Sequence, residues 1–330
     1  MNMKRNRIAA TMLTAVIGAT VVLAGCAGKQ EQPPASSGSA GGGAAPSQSQ
    51  SYTVKHAMGE TTLTKKPERV VILTNEGTEA LLALGVKPVG AVKSWVGDPW
   101  YEHIKADMQG VKNVGTESQP NIEEIAALKP DLIIGNKMRI EKVYDQLNKI
   151  APTVYSAELR GDWKVNFMLY AEALGKKAEG EKVMADFDKR VADLKTKAGD
   201  KLKQKVSLVR FMASTARIYY NDTFAGIIFK QIGIARPEKQ NKDAFADDVT
   251  KERIPDMEGD VLFYFTYETG DGKASKMEED WTKDPLWNNL NVVKNKKAFK
   301  VNDTIWNTAG GVKAANLLLD ELYKFYEVSK

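Results

Sequence analysis

Asn121-Ile122-Glu123-Glu124-Ile125-Ala126-Ala127-Leu128-Lys129-Pro130-Asp131-Leu132-Ile133-Ile134 decides how the rest of the chain is read. Ile122, Ile125 and Leu128 recur at helical spacing, and Pro130 ends the helix because the residue before a proline is biased away from helical angles. Leu132, Ile133 and Ile134 form the unbroken apolar run of a strand covered on both faces. The same unit returns 129 positions later, without a gap, as Thr250-Lys251-Glu252-Arg253-Ile254-Pro255-Asp256-Met257-Glu258-Gly259-Asp260-Val261-Leu262-Phe263. Glu123 falls on Glu252, Ile125 on Ile254, Leu128 on Met257 and Asp131 on Asp260. Such a period is too coarse for a solenoid and predicts two α/β lobes of related build. The helix macrodipole accounts for one acidic residue at a helix start, and less well for a matched pair.

Outward from the first unit, the chain reads β-α-β. Val70–Leu73 is a strand, Thr78–Leu84 a helix stopped by Gly85, and Pro88–Val92 a strand. A helix around Glu141–Ile150 and the strand Thr153–Tyr155 complete a first lobe with a parallel sheet. Two helices follow, Trp163–Leu174 and Ala178 to about Lys203. Val183, Phe187, Val191, Leu194, Ala198 and Leu202 give the second one buried face. At 1.5 Å per residue it is roughly 39 Å long, enough to bridge two lobes. The second lobe reads as strands at Val206–Phe211, Ile218–Tyr220, Val261–Phe265 and Phe299–Val301, with helices at Phe224–Ile232 and Lys313–Tyr326.

Before the fold stand two segments of different character. Lys4, Arg5 and Arg7 precede the apolar run Ile8–Ala24, which at 17 residues is too short for a comfortable membrane span. It ends in Leu23-Ala24-Gly25-Cys26, the pattern of a bacterial lipobox, in which the cysteine thiol receives a diacylglycerol. Cys26 is the single cysteine of 330 residues, so neither an internal disulfide nor a cysteine-built metal centre is available. Gly28–Ser51 is rich in Gly, Ser, Ala, Pro and Gln and reads as a tether. The divisions expected are 1–25 signal peptide, 26–51 lipidated cysteine and tether, 52–162 first lobe, 163–203 connecting helices and 204–330 second lobe. Formal charge is +5, and loss of the segment through Gly25 removes three basic residues and no acid, leaving +2. That near-balance gives no reason to invoke nucleic acid.

Enzyme motifs are absent: no G-x-S-x-G, Walker loop or G-x-G-x-x-G occurs. His56 and His103 are the only histidines, too few for a multi-histidine metal site, and His56 reads as solvated. Arginines and aromatics at strand ends and in loops carry the stronger signal. Lys137 and Arg139 directly follow the strand at Leu132–Ile134, where ligands sit in parallel α/β sheets. Arg210, Arg217 and Tyr219 lie in or beside strands, and Trp95, Tyr267, Trp281 and Trp306 in or beside Gly-, Asp- or Asn-rich segments. Guanidinium groups hold anionic oxygens in a fixed fork, and rings cover an organic ligand. Each alone is more often a surface arginine or a core aromatic. Trp287, Phe187 and Phe263 read as core, Arg190 and Arg253 as solvated helix faces.

Longer motifs carry a resemblance. Thr78-Glu79-Ala80-Leu81-Leu82-Ala83-Leu84-Gly85-Val86-Lys87-Pro88-Val89-Gly90, the Ile125–Ile134 segment, Asp284-Pro285-Leu286-Trp287-Asn288-Asn289-Leu290 with Val293-Lys294-Asn295, and Trp306-Asn307-Thr308-Ala309-Gly310-Gly311 are similar to substrate-binding lipoproteins of iron-siderophore ABC importers. Asn136-Lys137-Met138-Arg139, Leu159-Arg160-Gly161-Asp162-Trp163-Lys164 and Arg217-Ile218-Tyr219-Tyr220-Asn221-Asp222-Thr223-Phe224 resemble the branch that takes ferric hydroxamate or citrate-hydroxamate siderophores. The resemblance covers essentially all of residues 52–330. It implies an α/β protein of two Rossmann-like lobes joined by one long interdomain helix, the class III periplasmic-binding-protein fold. It implies a ferric siderophore as cargo, with no metal ligand and no covalent cofactor from the protein. The partners implied are a permease of the FecCD/FhuBG type with its cytoplasmic ATPase, met by Glu123 and Glu252. The expected form is a monomer, anchored through Cys26 to the outer face of the cytoplasmic membrane of a Gram-positive bacterium. The alternatives are a haem or cobalamin receptor of the same fold and, from another class, a surface-tethered enzyme.

Overall fold

The computed structural model describes residues 51–159, 161 and 163–330. Cys26, the apolar leader and the tether through residue 50 lie outside the described residues, as do Arg160 and Asp162. A hairpin of β1 (Tyr52–His56) and β2 (Gly59–Leu63) opens the fold. His56 is not solvated: its Nε2 meets Thr61 Oγ1 at 2.9 Å, and its Nδ1 accepts from the backbone of Met58 and Tyr155, each at 3.3 Å. The histidine thus ties the hairpin to the first sheet, and burial lowers its pKa.

That sheet contains β3 (Val70–Ile72), β4 (Gly90–Ala91), β5 (Lys112–Asn113), β6 (Leu132–Asn136) and β7 (Thr153–Ser156) in the order β5-β4-β3-β6-β7, every pair parallel. A second sheet contains β8 (Val206–Phe211), β9 (Ala216–Tyr219), β10 (Ala246–Val249), β11 (Val261–Thr266) and β12 (Ala298–Lys300) in the order β10-β9-β8-β11-β12. Here β9 runs antiparallel to both its neighbours, while β8, β11 and β12 are parallel. A four-residue connection joins β8 to β9, too short for the crossover a parallel pair requires.

The repeated unit has one design in both sheets. Ile125 and Ile254 are fully buried, one on the helix Ile122–Ala127, the other on the 3₁₀ turn Lys251–Met257. Asp131 accepts from the backbone N–H of Glu68 and Arg69 at 2.9 and 2.8 Å, just before β3 begins. Asp260 accepts from Lys205 N at 2.7 Å, just before β8. Each aspartate therefore sets the register between its own strand and the strand it pairs with. Lys129, ahead of Pro130, takes a φ of 48° and so leaves the helix. Glu123 and Glu252 stand exposed in the first turns of the matched helices.

Side chains on the strands alternate between cores, as the pleat requires. Val71 and Ile133 face one way, with Ile125 and Leu147. Val70, Ile72, Leu132 and Ile134 face the other way and join a core that continues to Leu208, Phe263 and Phe265 of the second sheet. The outer face of that second sheet has its own core around Phe211, Trp281 and Trp287. The helix Lys177–Ala198 buries Met184, Phe187, Val191, Leu194 and Ala198 in the shared core, with Val183 half-buried against it. Its 22 residues span roughly 33 Å, and a 3₁₀ turn, Gly199–Lys203, completes the run. Arg190 on this helix is a cross-link rather than a solvated arginine. It donates at 2.5 Å to Asn316 Oδ1 and to Asp320 on the last helix, Val312–Phe325.

Asp131→Ala removes charged hydrogen bonds that fix a strand start. The expected loss is about 1–2 kcal/mol of unfolding free energy. Urea denaturation reads it as a lower midpoint at unchanged slope, and an unchanged midpoint would remove the brace from the account.

Candidate functional site

Parallel strands bring their carboxyl ends to one edge of a sheet, and ligands gather there. Both sheets present that edge to a single cleft of about 390 Å³. From the first sheet come Asn75 and Glu76 after β3, Trp95 after β4, Glu117 after β5, Met138 and Arg139 after β6, and Leu159 after β7. From the second come Arg210 and Met212 at the end of β8, Arg217 at the start of β9, Tyr267 after β11, and residues 307–310.

Among the described residues, three guanidinium groups line this cleft, each held by a carboxylate. Arg139 Nε lies 3.4 Å from Glu117 Oε2, with its guanidinium 5.4 Å from the Trp95 ring centre. Arg210 is buried. Its Nε and Nη2 donate to Asp303 at 2.6 and 3.1 Å, its Nη1 to Tyr219 Oη at 3.0 Å and its Nη2 to Thr308 Oγ1 at 2.7 Å. The Tyr267 ring covers its face at 4.7 Å. Burial opposes the charge on Arg210, but Tyr219 and Asp303 outweigh it and raise its pKa. Arg217 Nε donates to Asp248 at 2.5 Å in an open setting. An arginine carries five donors, so these braces orient each fork and leave N–H groups for an anionic ligand.

The structure brings Trp95, Arg139, Arg210, Arg217 and Tyr267 together around the cleft. Four other residues proposed as contacts stand elsewhere. Lys137 pairs with Glu141 one turn along, at 3.5 Å. Tyr219 is fully buried behind Arg210 and accepts from its Nη1. Trp281 lies in the outer core against Phe211, 5.9 Å between ring centres. Trp306 is 1% exposed, packs on Phe263 at 4.6 Å and donates its indole N–H to Glu321. Their places in or beside Gly-, Asp- or Asn-rich segments suggested ligand contact for both tryptophans, but both rings turn inward.

Two buried carboxyls were missed by the sequence reading. Glu117 accepts from Asn75 N at 2.6 Å and Asn75 Nδ2 at 2.8 Å; burial pushes its pKa up, while those donors and Arg139 pull it down. Glu76 accepts only neutral donors, Asn166 Nδ2 at 2.7 Å and Tyr170 Oη at 2.9 Å. Burial pushes its pKa up to about 8, with Glu117 and Glu79 adding to the effect. The rule that singled out Lys137 and Arg139 after β6 points equally to Asn75 and Glu76 after β3. No such signal marks Glu117, because β5 is only two residues long.

Asp303→Ala leaves the Arg210 cation buried without its partner and is expected to cost about 3–5 kcal/mol. Asp248→Ala breaks an exposed pair and should cost under about 1 kcal/mol. Parallel denaturant curves compare the two, and equal losses would refute the contrast.

Comparison with known proteins agrees with this architecture. A family model described as periplasmic binding protein matches residues 70–304. The probable siderophore-binding lipoprotein YfiY of Bacillus subtilis strain 168 is 53% identical over 97% of this chain and 98% of its own length. The achromobactin-binding periplasmic protein of Dickeya dadantii strain 3937 is 28% identical over 78% of this chain and 85% of its own length. The crystal structure of Staphylococcus aureus SirA complexed with staphyloferrin B superposes with a TM-score of 0.78 at 39% identity, covering 84% of this chain and 99% of that one. With two α/β sheets, a long helix between them in the chain and a family match across most of its length, the protein belongs to the periplasmic binding protein family and has the class III fold.

Proposed function

We propose that this protein is an extracytoplasmic receptor that binds a ferric siderophore, of hydroxamate or citrate-hydroxamate type, and delivers it to an ABC importer without altering it chemically. The observation that carries the reading is the trio Arg139, Arg210 and Arg217 around one cleft, each guanidinium pre-aimed by a carboxylate. Such forks suit the carboxylate and hydroxamate oxygens of a compact anionic complex, and Trp95 and Tyr267 supply ring surface. The names carried by the relatives at 53% and 39% identity support the same cargo class. The siderophore's own oxygens coordinate the iron. Among the described residues no group of three or more His, Cys, Asp or Glu is placed to hold a metal ion.

In this reading residues 52–162 and 204–330 are two lobes, 163–203 connect them, and Cys26 carries a lipid anchor at the outer face of the cytoplasmic membrane. Among the described residues no helix is long and apolar enough to cross a membrane. Glu123 and Glu252 dock a monomeric receptor onto a FecCD/FhuBG-type permease that works with a cytoplasmic ATPase. Each of these glutamates opens the helix that descends from the cleft edge of its sheet, so both stand on the cleft side of the fold. Hydrogen bonds from the Thr250 side chain and its own backbone N–H hold the Glu252 carboxyl below the ordinary range.

Tryptophan quenching by ferric hydroxamate and citrate-hydroxamate complexes is the direct test, with haem and cobalamin as competitors. Arg217→Ala is expected to weaken binding by roughly ten- to a hundredfold, the worth of about 1.5–3 kcal/mol for a charged hydrogen bond. An unchanged dissociation constant would return Arg217 to a structural role, and tighter binding of haem or cobalamin would overturn the cargo.

Docking gives a split phenotype. Glu123→Ala with Glu252→Ala should leave cargo binding intact and abolish, or greatly reduce, siderophore-dependent iron uptake. Either single change should do less, since two contacts on one body reinforce each other. Radio-iron uptake beside ligand titration reads both effects, and normal uptake by the double variant would sink the docking role.

A further inference from the structure

We propose that Glu76 is a specificity-determining residue of the cleft, a neutral carboxyl that donates its Oε2 proton to an acceptor oxygen of the cargo. The cargo itself rests on the receptor reading above; the proton does not. Glu76 follows β3, sits on the cleft floor and is 8% exposed. Its two oxygens have different surroundings. Oε1 takes both protein donors, Asn166 Nδ2 and Tyr170 Oη. Oε2 takes no hydrogen bond from any described residue and is not among the buried atoms sealed without a partner, so it is the oxygen open to the cleft. With Oε1 saturated by donors, the proton of the neutral acid belongs on Oε2.

The charges around Glu76 favour that form. Its own helix, Asn75–Ala83, carries Glu79, which is paired with His103 at 2.5 Å. The segment after β5 carries Glu117, which accepts from Asn75 N and Nδ2 and faces Arg139; burial raises its pKa despite those contacts, and its carboxylate charge pushes the Glu76 pKa up. The helix Trp163–Ala173 packed against it contributes only the uncharged Asn166, Tyr170 and Trp163, and residues 307–310 bring no charge. Its pKa of about 8 keeps the carboxyl neutral at pH 7, although Arg139, Arg210 and Arg217 also line the cleft. A neutral Glu76 spares an anionic cargo the repulsion that an ionised one would bring. The sign follows from that: binding is at full strength below the Glu76 pKa and weakens as pH rises through it.

The test compares the wild-type protein with Glu76→Gln, whose amide can donate at the same place without titrating. Ferric staphyloferrin B and ferric citrate serve as probes from pH 6 to 9.5. Taking the ratio of dissociation constants, wild type over variant, cancels the probe's own speciation. That ratio should rise about tenfold between pH 7 and pH 9, as release of one proton requires. Tyr170→Phe removes one donor that favours the carboxylate and should move the rise to higher pH. Infrared difference spectra of the ligand-free proteins should show a protonated-carboxyl band in the wild type that Glu76→Gln lacks and that fades above pH 8. A flat ratio with both proteins binding overturns the donor role, and so does the absence of that band at pH 7. If neither protein binds either probe while the band is present, the receptor reading and the cargo role fall together, and the proton assignment stands.

Discussion

The Arg210–Asp303 pair is the contact on which the cleft depends. A guanidinium taken out of water is tolerated only when nearly every donor is met, and here Asp303, Tyr219 and Thr308 meet four hydrogen bonds while Tyr267 covers the face. The pair fastens the segment after β12 to the end of β8. Thr308, in the π-helical turn Thr304–Thr308, then accepts from Tyr101 Oη of the first sheet's connections at 3.2 Å. Glu79 of the helix after β3 accepts from Ala314 N at 2.8 Å on the last helix. One buried charge thus fixes a cleft wall built from the second half of the chain and touching the first.

These contacts limit how the two halves can move. Arg190 joins the long helix to the last helix, and Tyr323 Oη donates to Asp193 at 2.7 Å beside it. The last helix in turn packs on the helix after β3, and a side chain at Gly311 would start 2.5 Å from the Glu79 carboxylate. Two helices and a continuous core therefore form a spine across both sheets, not a single hinge strand. Closure on a cargo must come from side chains and loops at the strand ends or from a small rotation about that spine.

The chain states its architecture openly because the repeat and the helix stops are local signals. The helix Phe224–Ile232 ends at Gly233 with a φ of 92°, as its sequence predicts, and the strand ends at Arg139 and Arg210 come from the apolar runs before them. Side-chain direction is not a local signal. Trp281 and Trp306 have polar neighbours yet face inward because the sheets need their volume, and Lys137 turns to Glu141 because helical spacing sets the two side by side. The antiparallel β9 was hidden for the same reason: its length and composition do not encode direction, and only the short connection from β8 does. Glu76 and Glu117 come to the cleft from positions 41 residues apart, so the burial that raises the pKa of both exists only in the folded protein.

One consequence of strand direction ties capture to the proposed handover. In a parallel sheet every connecting helix descends from the edge where the strands end, so its first turn lies on the ligand side. Asn121 N donates to Val114 O at 2.8 Å just past β5, which holds the start of the Glu123 helix at that edge, and Thr250 follows directly on β10. The cleft and both matched glutamates therefore share one side of the molecule without any further structural device. A change in the spacing of the two sheets around bound cargo would alter the spacing of Glu123 and Glu252 by the same rigid-body movement. Weak exposed ion pairs, at about 0.2–1 kcal/mol each, are suited to such a task, since they sense geometry without holding the receptor after release.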